Sequence, residues 1–161
     1  FQAPGENLKE FQEENITFKP SAEKEMLENF WKGAEKYNEF ITFNGRSFDA
    51  PFLAVRSAVH KIKATKDLMS NRYLSSQKFG AVHIDLFDQL TFYGASRRKG
   101  GLHLWCRAFG ITSPKAQGVT GDDVAQLFKE KKYKEIARYN VGDLTATKEL
   151  YDYWKNYIKL N

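Results

Sequence analysis

Apolar residues recur along this chain at two periods, and one changes to the other within residues 40–53, FITFNGRSFDAPFL. Phe40 to Phe43 is a short β-prone run that breaks at Asn44-Gly45. From Phe48 onward, Phe52, Val55 and Val59 follow at helical spacing, so the pattern predicts a strand turning into a helix that runs to about His60. Asn-Gly is also the strongest short hairpin signal, but the helical period after Ser47 disfavours a second strand. Ser47 suits the N-cap, Asp49 falls in the first turn where negative charge favours the helix dipole, and Pro51 is tolerated that early. A carboxylate is then held at the carboxyl end of a strand, where open α/β sheets place their sites; ordinary capping accounts for Asp49 equally well.

Elsewhere the periods predict a low-contrast edge strand or pair of strands within 7–18, and a helix capped by Ser21 and running to about Tyr37. Met26, Leu27, Phe30, Trp31 and Ala34 form one face of that helix. Residues 61–79 have no sustained period, and so long a stretch in a compact domain is more often a binding or lid loop. Val82 to Phe87 alternates, with His83, Asp85 and Asp88 to one side, and leads into a helix through Tyr93. A short helix from Gly101 to Phe109 stops at Gly110, and another runs from Asp122 to Glu130. The strongest helical pattern spans Tyr133 to Ile158, with Tyr133, Ala137, Leu144, Thr147, Tyr151, Trp154 and Ile158 as its stripe. Tyr139 and Asp143, four apart, project from one face of this helix.

Length and composition narrow the class. A chain of 161 residues, 42% hydrophobic and 15% aromatic, fits one globular domain with a single core, and no apolar run approaches a membrane span. The single cysteine, Cys106, excludes an internal disulfide and points to a reducing, cytoplasmic setting. A net charge of +5 suits a polyanionic partner without requiring one. Most of its basic clusters read as solvated faces. Arg97-Arg98-Lys99, followed by two glycines and preceded by Phe92 and Tyr93, instead mixes charge with stacking surface. His60, His83 and His103 lack metal-ligand spacing, and Asp85 reads first as a hydrogen-bonded structural aspartate, with a supporting partner near the site as the alternative.

Together, NGRSFD at 44–49 and YNVGD at 139–143 resemble the second and third motifs of the DEDD superfamily of 3′-5′ exonucleases. The tyrosine four residues before the last aspartate is that of the tyrosine-type branch. The fuller strings FNGRSFDAPFL and HIDLFD most resemble predicted exonucleases related to the proofreading domain of family B DNA polymerases. The resemblance runs from about Phe40 to Trp154. It implies an α/β, ribonuclease H-like fold, a mixed sheet flanked by helices, and hydrolysis of phosphodiester bonds from the 3′ end of nucleic acid.

It further implies two divalent cations, Mg²⁺ or Mn²⁺, held about 4 Å apart by oxygen ligands. Asp49 and Asp143 take the place of metal ligands, and Tyr139 that of the hydroxyl orienting the attacking water. Asn44 becomes a polar contact near the substrate terminus. Arg46, Phe48, Arg97, Arg98 and Lys99 are further candidates for substrate binding, although Phe48 reads first as core. DNA is preferred over RNA, and single strands over duplex.

One departure stands against the pattern. The family opens on an Asp-x-Glu strand, and no Asp precedes Asp49 here. Two carboxylates set against two divalent ions are too few for a tight site. The expectation is therefore a piece of a longer protein whose opening strand lies upstream. The alternative is a non-catalytic nucleic-acid-binding or scaffold domain of the same fold, and a third reading is an exonuclease module within a polymerase.

Overall fold

The computed structural model describes residues 22–96, 100–113 and 121–159. The strands expected within 7–18, the Ser21 cap and the basic run Arg97–Lys99 lie outside the described residues. The contacts fall into two compact units, one built on Lys19–Lys99 and the other on Gly100–Asn161.

The first unit opens with helix α1, Glu23–Ala34, whose capping position is Ala22, a residue with no side chain to cap with. Leu27, Trp31 and Ala34 form the buried face, while Met26 turns outward. Strand β1, Glu39–Thr42, follows and pairs in parallel with β2, Val82–Asp85, setting Phe40 opposite His83 and Thr42 opposite Asp85. Among the described residues the sheet is these two strands. Parallel pairing brings both carboxyl ends to one edge. There Phe43 and Phe87, just beyond the strands, meet edge to face at 5.8 Å.

Helix α2, Asp49–Val59, runs where the period placed it but presents its other side to the core. Phe48, Phe52, Val55 and Val59 are all at least 53% exposed, with Phe48 and Phe52 stacked at 5.9 Å. The buried positions are the small residues Ala50 and Ser57, joined by partly buried Leu53. Small side chains let α2 approach α1 closely, and the Trp31 indole Nε1 donates to Ser57 Oγ at 2.8 Å. Trp31, Ala34, Phe40, Ala50 and Leu68 make the core here. An apolar period shows that one face differs from another; the location of small residues decides which face packs. The expected core role of Phe48 is thereby corrected, and Ser47 is not the cap, since that position is Phe48.

At the outer edge of α1 and α2, Glu23 accepts from Arg56 Nε at 2.6 Å and also binds Arg56 Nη2 and His60 Nε2. The Arg56 hydrogen bond leads, and with His60 it pulls the Glu23 carboxyl down to about 2.

The stretch 61–79 is irregular as expected, with one 3₁₀ turn at Leu74–Ser76, but it is tied down. Leu68 O accepts from Arg46 Nη1 at 3.2 Å and faces His83 Nδ1 at 2.8 Å. Gln77 Nε2 donates to His83 O at 2.9 Å and its Oε1 accepts from His83 N at 2.6 Å, copying a strand partner on β2. Arg72 forks onto the Asp88 carboxylate at 2.9 and 2.5 Å. These bonds brace the segment against β2, Arg46 and Asp88.

Helix α3, Leu86–Leu90, stops short of Tyr93. Phe92, Tyr93 and Gly94 all take positive φ, at 49°, 57° and 96°. Left-handed backbone is costly for residues with a Cβ, so a helix cannot pass. Tyr93 is held in this turn because its hydroxyl accepts from Gln89 Nε2 at 3.0 Å and its ring lies 4.7 Å from Tyr73.

The second unit is helical. Helix α4, Leu102–Ala108, ends at Gly110, whose φ of 69° is the left-handed stop the sequence predicted. A 3₁₀ turn at Gly121–Asp123 leads into α5, Val124–Lys129, and then α6, Tyr133–Tyr157. Cys106, Leu127, Ala146, Leu150 and Trp154 are buried, and Phe109 stacks on Tyr153 at 4.3 Å. The seam of α6 is rotated from the predicted stripe: Leu144 is exposed, whereas Ala146 and Leu150 are buried.

Candidate active site

The residues of interest stand at two places, one in each unit. The first begins where β1 ends. Asn44 takes a φ of 62°, a conformation Asn tolerates better than most residues, and the chain reverses there. Gly45 follows because nothing larger fits: an added Cβ would lie 2.5 Å from Thr42 Cβ and Oγ1. Ser47 N donates to Asn44 O at 3.2 Å, and the Gly45 carbonyl accepts from both Phe48 N at 3.3 Å and Ala50 N at 2.8 Å. Asp49, between those two donors, becomes the first residue of α2.

Beneath this turn lies Asp85, 2% exposed. Its Oδ1 accepts from Asn44 N at 2.7 Å and Phe87 N at 3.0 Å, and its Oδ2 from Arg46 N at 2.9 Å. His83, on the same side of β2, sits between Leu68 O and Thr42 Oγ1, each at 2.8 Å. A carbonyl can only accept, so Nδ1 carries the proton and Nε2 receives the Thr42 hydroxyl. Burial keeps this imidazole neutral by pushing its pKa down.

Asp49 itself is solvent-accessible, yet the atoms packed around its carboxyl withdraw enough water to raise its pKa, and the charge of Asp85 adds to the rise. An accessible carboxyl whose ionised form is held at a cost is poised to bind a cation or a proton. Arg46 directs its guanidinium to Leu68 O, and Phe48 is open to solvent.

The second place lies on α6. Tyr139 and Asp143 share a helical face, and the tyrosine hydroxyl donates to the carboxylate. Half-burial raises the Asp143 pKa and the Tyr139 hydrogen bond partly lowers it again. The Tyr139 hydroxyl lies beside Gly121, where a Cβ would be 3.9 Å away. The field of Asp143 also reaches α4: burial first, then the charges of Glu149 and Asp143, push the Cys106 thiol up to about 11. Cys106, fully buried, is therefore an inert core thiol.

A family model describing predicted 3′-5′ exonucleases related to the exonuclease domain of PolB matches residues 5–157. The chain belongs to that family. The exonuclease family implies a nucleic acid as substrate, and no helix among the described residues is long and apolar enough to cross a membrane. No curated protein matches the chain significantly.

For this exonuclease-family chain the donor chemistry of Asp49 and Asp143 is right for Mg²⁺ or Mn²⁺, which favour carboxylate oxygen. The number of donors is not. Among the described residues, no three His, Cys, Asp or Glu side chains are grouped to hold a metal ion. Sequence reading did not assign Asp85 its grip on the 44–46 turn, nor His83 its brace. The one available signal was that His83 and Asp85 alternate onto one side of an otherwise apolar strand.

Proposed function

We propose that this domain is a metal-dependent 3′-5′ exonuclease acting on nucleic acid, with single-stranded DNA or a frayed 3′ end as its substrate, and that its sheet belongs to a ribonuclease H-like fold. The family match over residues 5–157 carries the reading. Two raised carboxyls on separate helices, one of them hydrogen-bonded by a tyrosine four residues earlier, support it. Asp49 and Asp143 are the proposed metal ligands. The ions, when bound, would neutralise the scissile phosphate and lower the pKa of the attacking water.

The remaining roles fall to the chain's own groups. Tyr139 offers a hydroxyl to orient water, and Asn44, Arg46 and Phe48 lead up to Asp49 in sequence and are the proposed contacts for a 3′ terminus. Phe48, more than half exposed, is free to stack on a base. Arg97, Arg98 and Lys99 are proposed phosphate contacts, which would make binding salt-dependent. An end-labelled oligonucleotide incubated with Mn²⁺ or Mg²⁺ should shorten stepwise from its 3′ end. Undiminished shortening by Asp143→Ala would refute the assignment.

The absence of a three-ligand cluster among the described residues favours a second reading, a nucleic-acid-binding or scaffold domain that keeps the fold without the chemistry. Salt-sensitive oligonucleotide binding with no metal-dependent turnover would select it.

A further inference from the structure

We propose that Asp85 is the positioning residue of this site, its buried carboxylate fixing the Asn44–Arg46 turn and, through that turn, the place of Asp49. The inference rests on reading Asp49 as a functional carboxylate.

The hydrogen bonds form a chain with two grips. Asp85 holds the amides on either side of Gly45, those of Asn44 at 2.7 Å and Arg46 at 2.9 Å. Gly45, through its one carbonyl, holds the amides on either side of Asp49, those of Phe48 at 3.3 Å and Ala50 at 2.8 Å. A shift of the Asp85 carboxylate is therefore passed to Asp49 with no flexible side chain between them. Each grip spans a single residue and leaves it little room to tilt.

Helix capping alone does not account for Asp85. A cap for α3 needs only the bond to Phe87 N; the other two donors belong to a segment some forty positions earlier in the chain. Among the described residues no basic side chain forms an ion pair with this buried carboxylate; three backbone N–H groups supply its hydrogen bonds, and the Arg72 charge acts on it from further away. The use of both oxygens also explains the residue type. Asparagine would offer one acceptor and turn an NH₂ group towards an N–H donor, while glutamate would push the turn outward. Two further contacts limit how far the turn can move: Gly45 sits against Thr42, and Thr42 Oγ1 is bound to His83 Nε2 at 2.8 Å.

Residue-resolved amide hydrogen exchange of the wild-type protein tests the first grip without any substitution. Asn44 and Arg46 should be protected as well as the amides of the β1–β2 pairing, and exchange at open-loop rates overturns the inference. In Asp85→Asn, one or both of these amides should exchange about tenfold faster or more while the strand amides keep their protection, since one acceptor oxygen is lost. Loss of protection throughout the strands would mean a general structural role and overturns it as well. With a labelled oligonucleotide and Mn²⁺, the same variant should lower kcat about tenfold or more with KM nearly unchanged, as misplacing a reacting group does. An unchanged kcat overturns the positioning role. Full activity in Asp49→Ala would instead bring down the exonuclease reading, whereas an inactive Asp49→Ala beside a fully active Asp85→Asn sinks only the role of Asp85.

Discussion

Tyr139 and Asp143 stand together because they lie four residues apart on one helix, and any sequence that keeps α6 helical keeps them paired. Asp49 reaches its position through a strand end, a left-handed Asn44, a close-packed Gly45 and a carboxylate on another strand. Both carboxyls are pushed in the same direction, their pKa raised first by burial. Their supports differ: one is local and robust, the other is assembled from distant parts and can be dismantled piece by piece. Equal proposed roles resting on unequal structural supports make separate predictions for the two places.

Substitution of either carboxylate should have the largest effect and should treat the two alike. Asp49→Ala and Asp143→Ala are each expected to reduce turnover of an end-labelled oligonucleotide by about a thousandfold, as should EDTA. A large loss in one with little in the other would break the equivalence.

Tyr139→Phe sharpens the comparison at the helical place alone, with an expected loss of about tenfold to a hundredfold. Its hydrogen bond lowers the Asp143 pKa, so removing the hydroxyl should raise that pKa and move the acid limb of the rate profile to higher pH.

Gly45→Ala probes the other support. The new Cβ would meet Thr42 at 2.5 Å, and overpacking of this kind costs about 1–3 kcal/mol. Urea titration should register that loss, whereas an alanine at Gly121, where the nearest atom is the Tyr139 hydroxyl at 3.9 Å, meets no such clash.

Smaller effects should follow pH. The His83 pKa is lowered by burial, so the unfolded chain takes up the proton first, and stability should begin to fall as pH drops below about 6.5. Glu23, held down to about 2 by Arg56 and His60, contributes stability above the ordinary carboxyl pKa of 4.5 that is lost as pH falls from there towards 2. Asp49 and Asp143 have the opposite sign, since a raised carboxyl pKa makes the ionised form a liability at neutral pH. Asp49→Asn should therefore raise Tm slightly at pH 7, with the gain shrinking as pH falls towards 3.8. Thermal melts across pH check all three.

Local chemistry is what the amino-acid order determined. A short β-prone run gave one strand and alternation the other, glycine in a left-handed stop ended α4, and periodicity placed α2 and α6 almost to their ends. The i, i+4 geometry made Tyr139 and Asp143 legible as a pair before any coordinates. Tertiary structure decided which face of each helix packs. The stripe Phe48, Phe52, Val55 and Val59 stays outside because Ala50 and Ser57 permit a closer approach to Trp31, and closeness of approach belongs to two helices at once. It also decided what Asp85 is for. A carboxylate's partners in this fold are backbone amides distant along the chain, and every residue type except proline carries the same amide, so no residue letter marks the donors in advance.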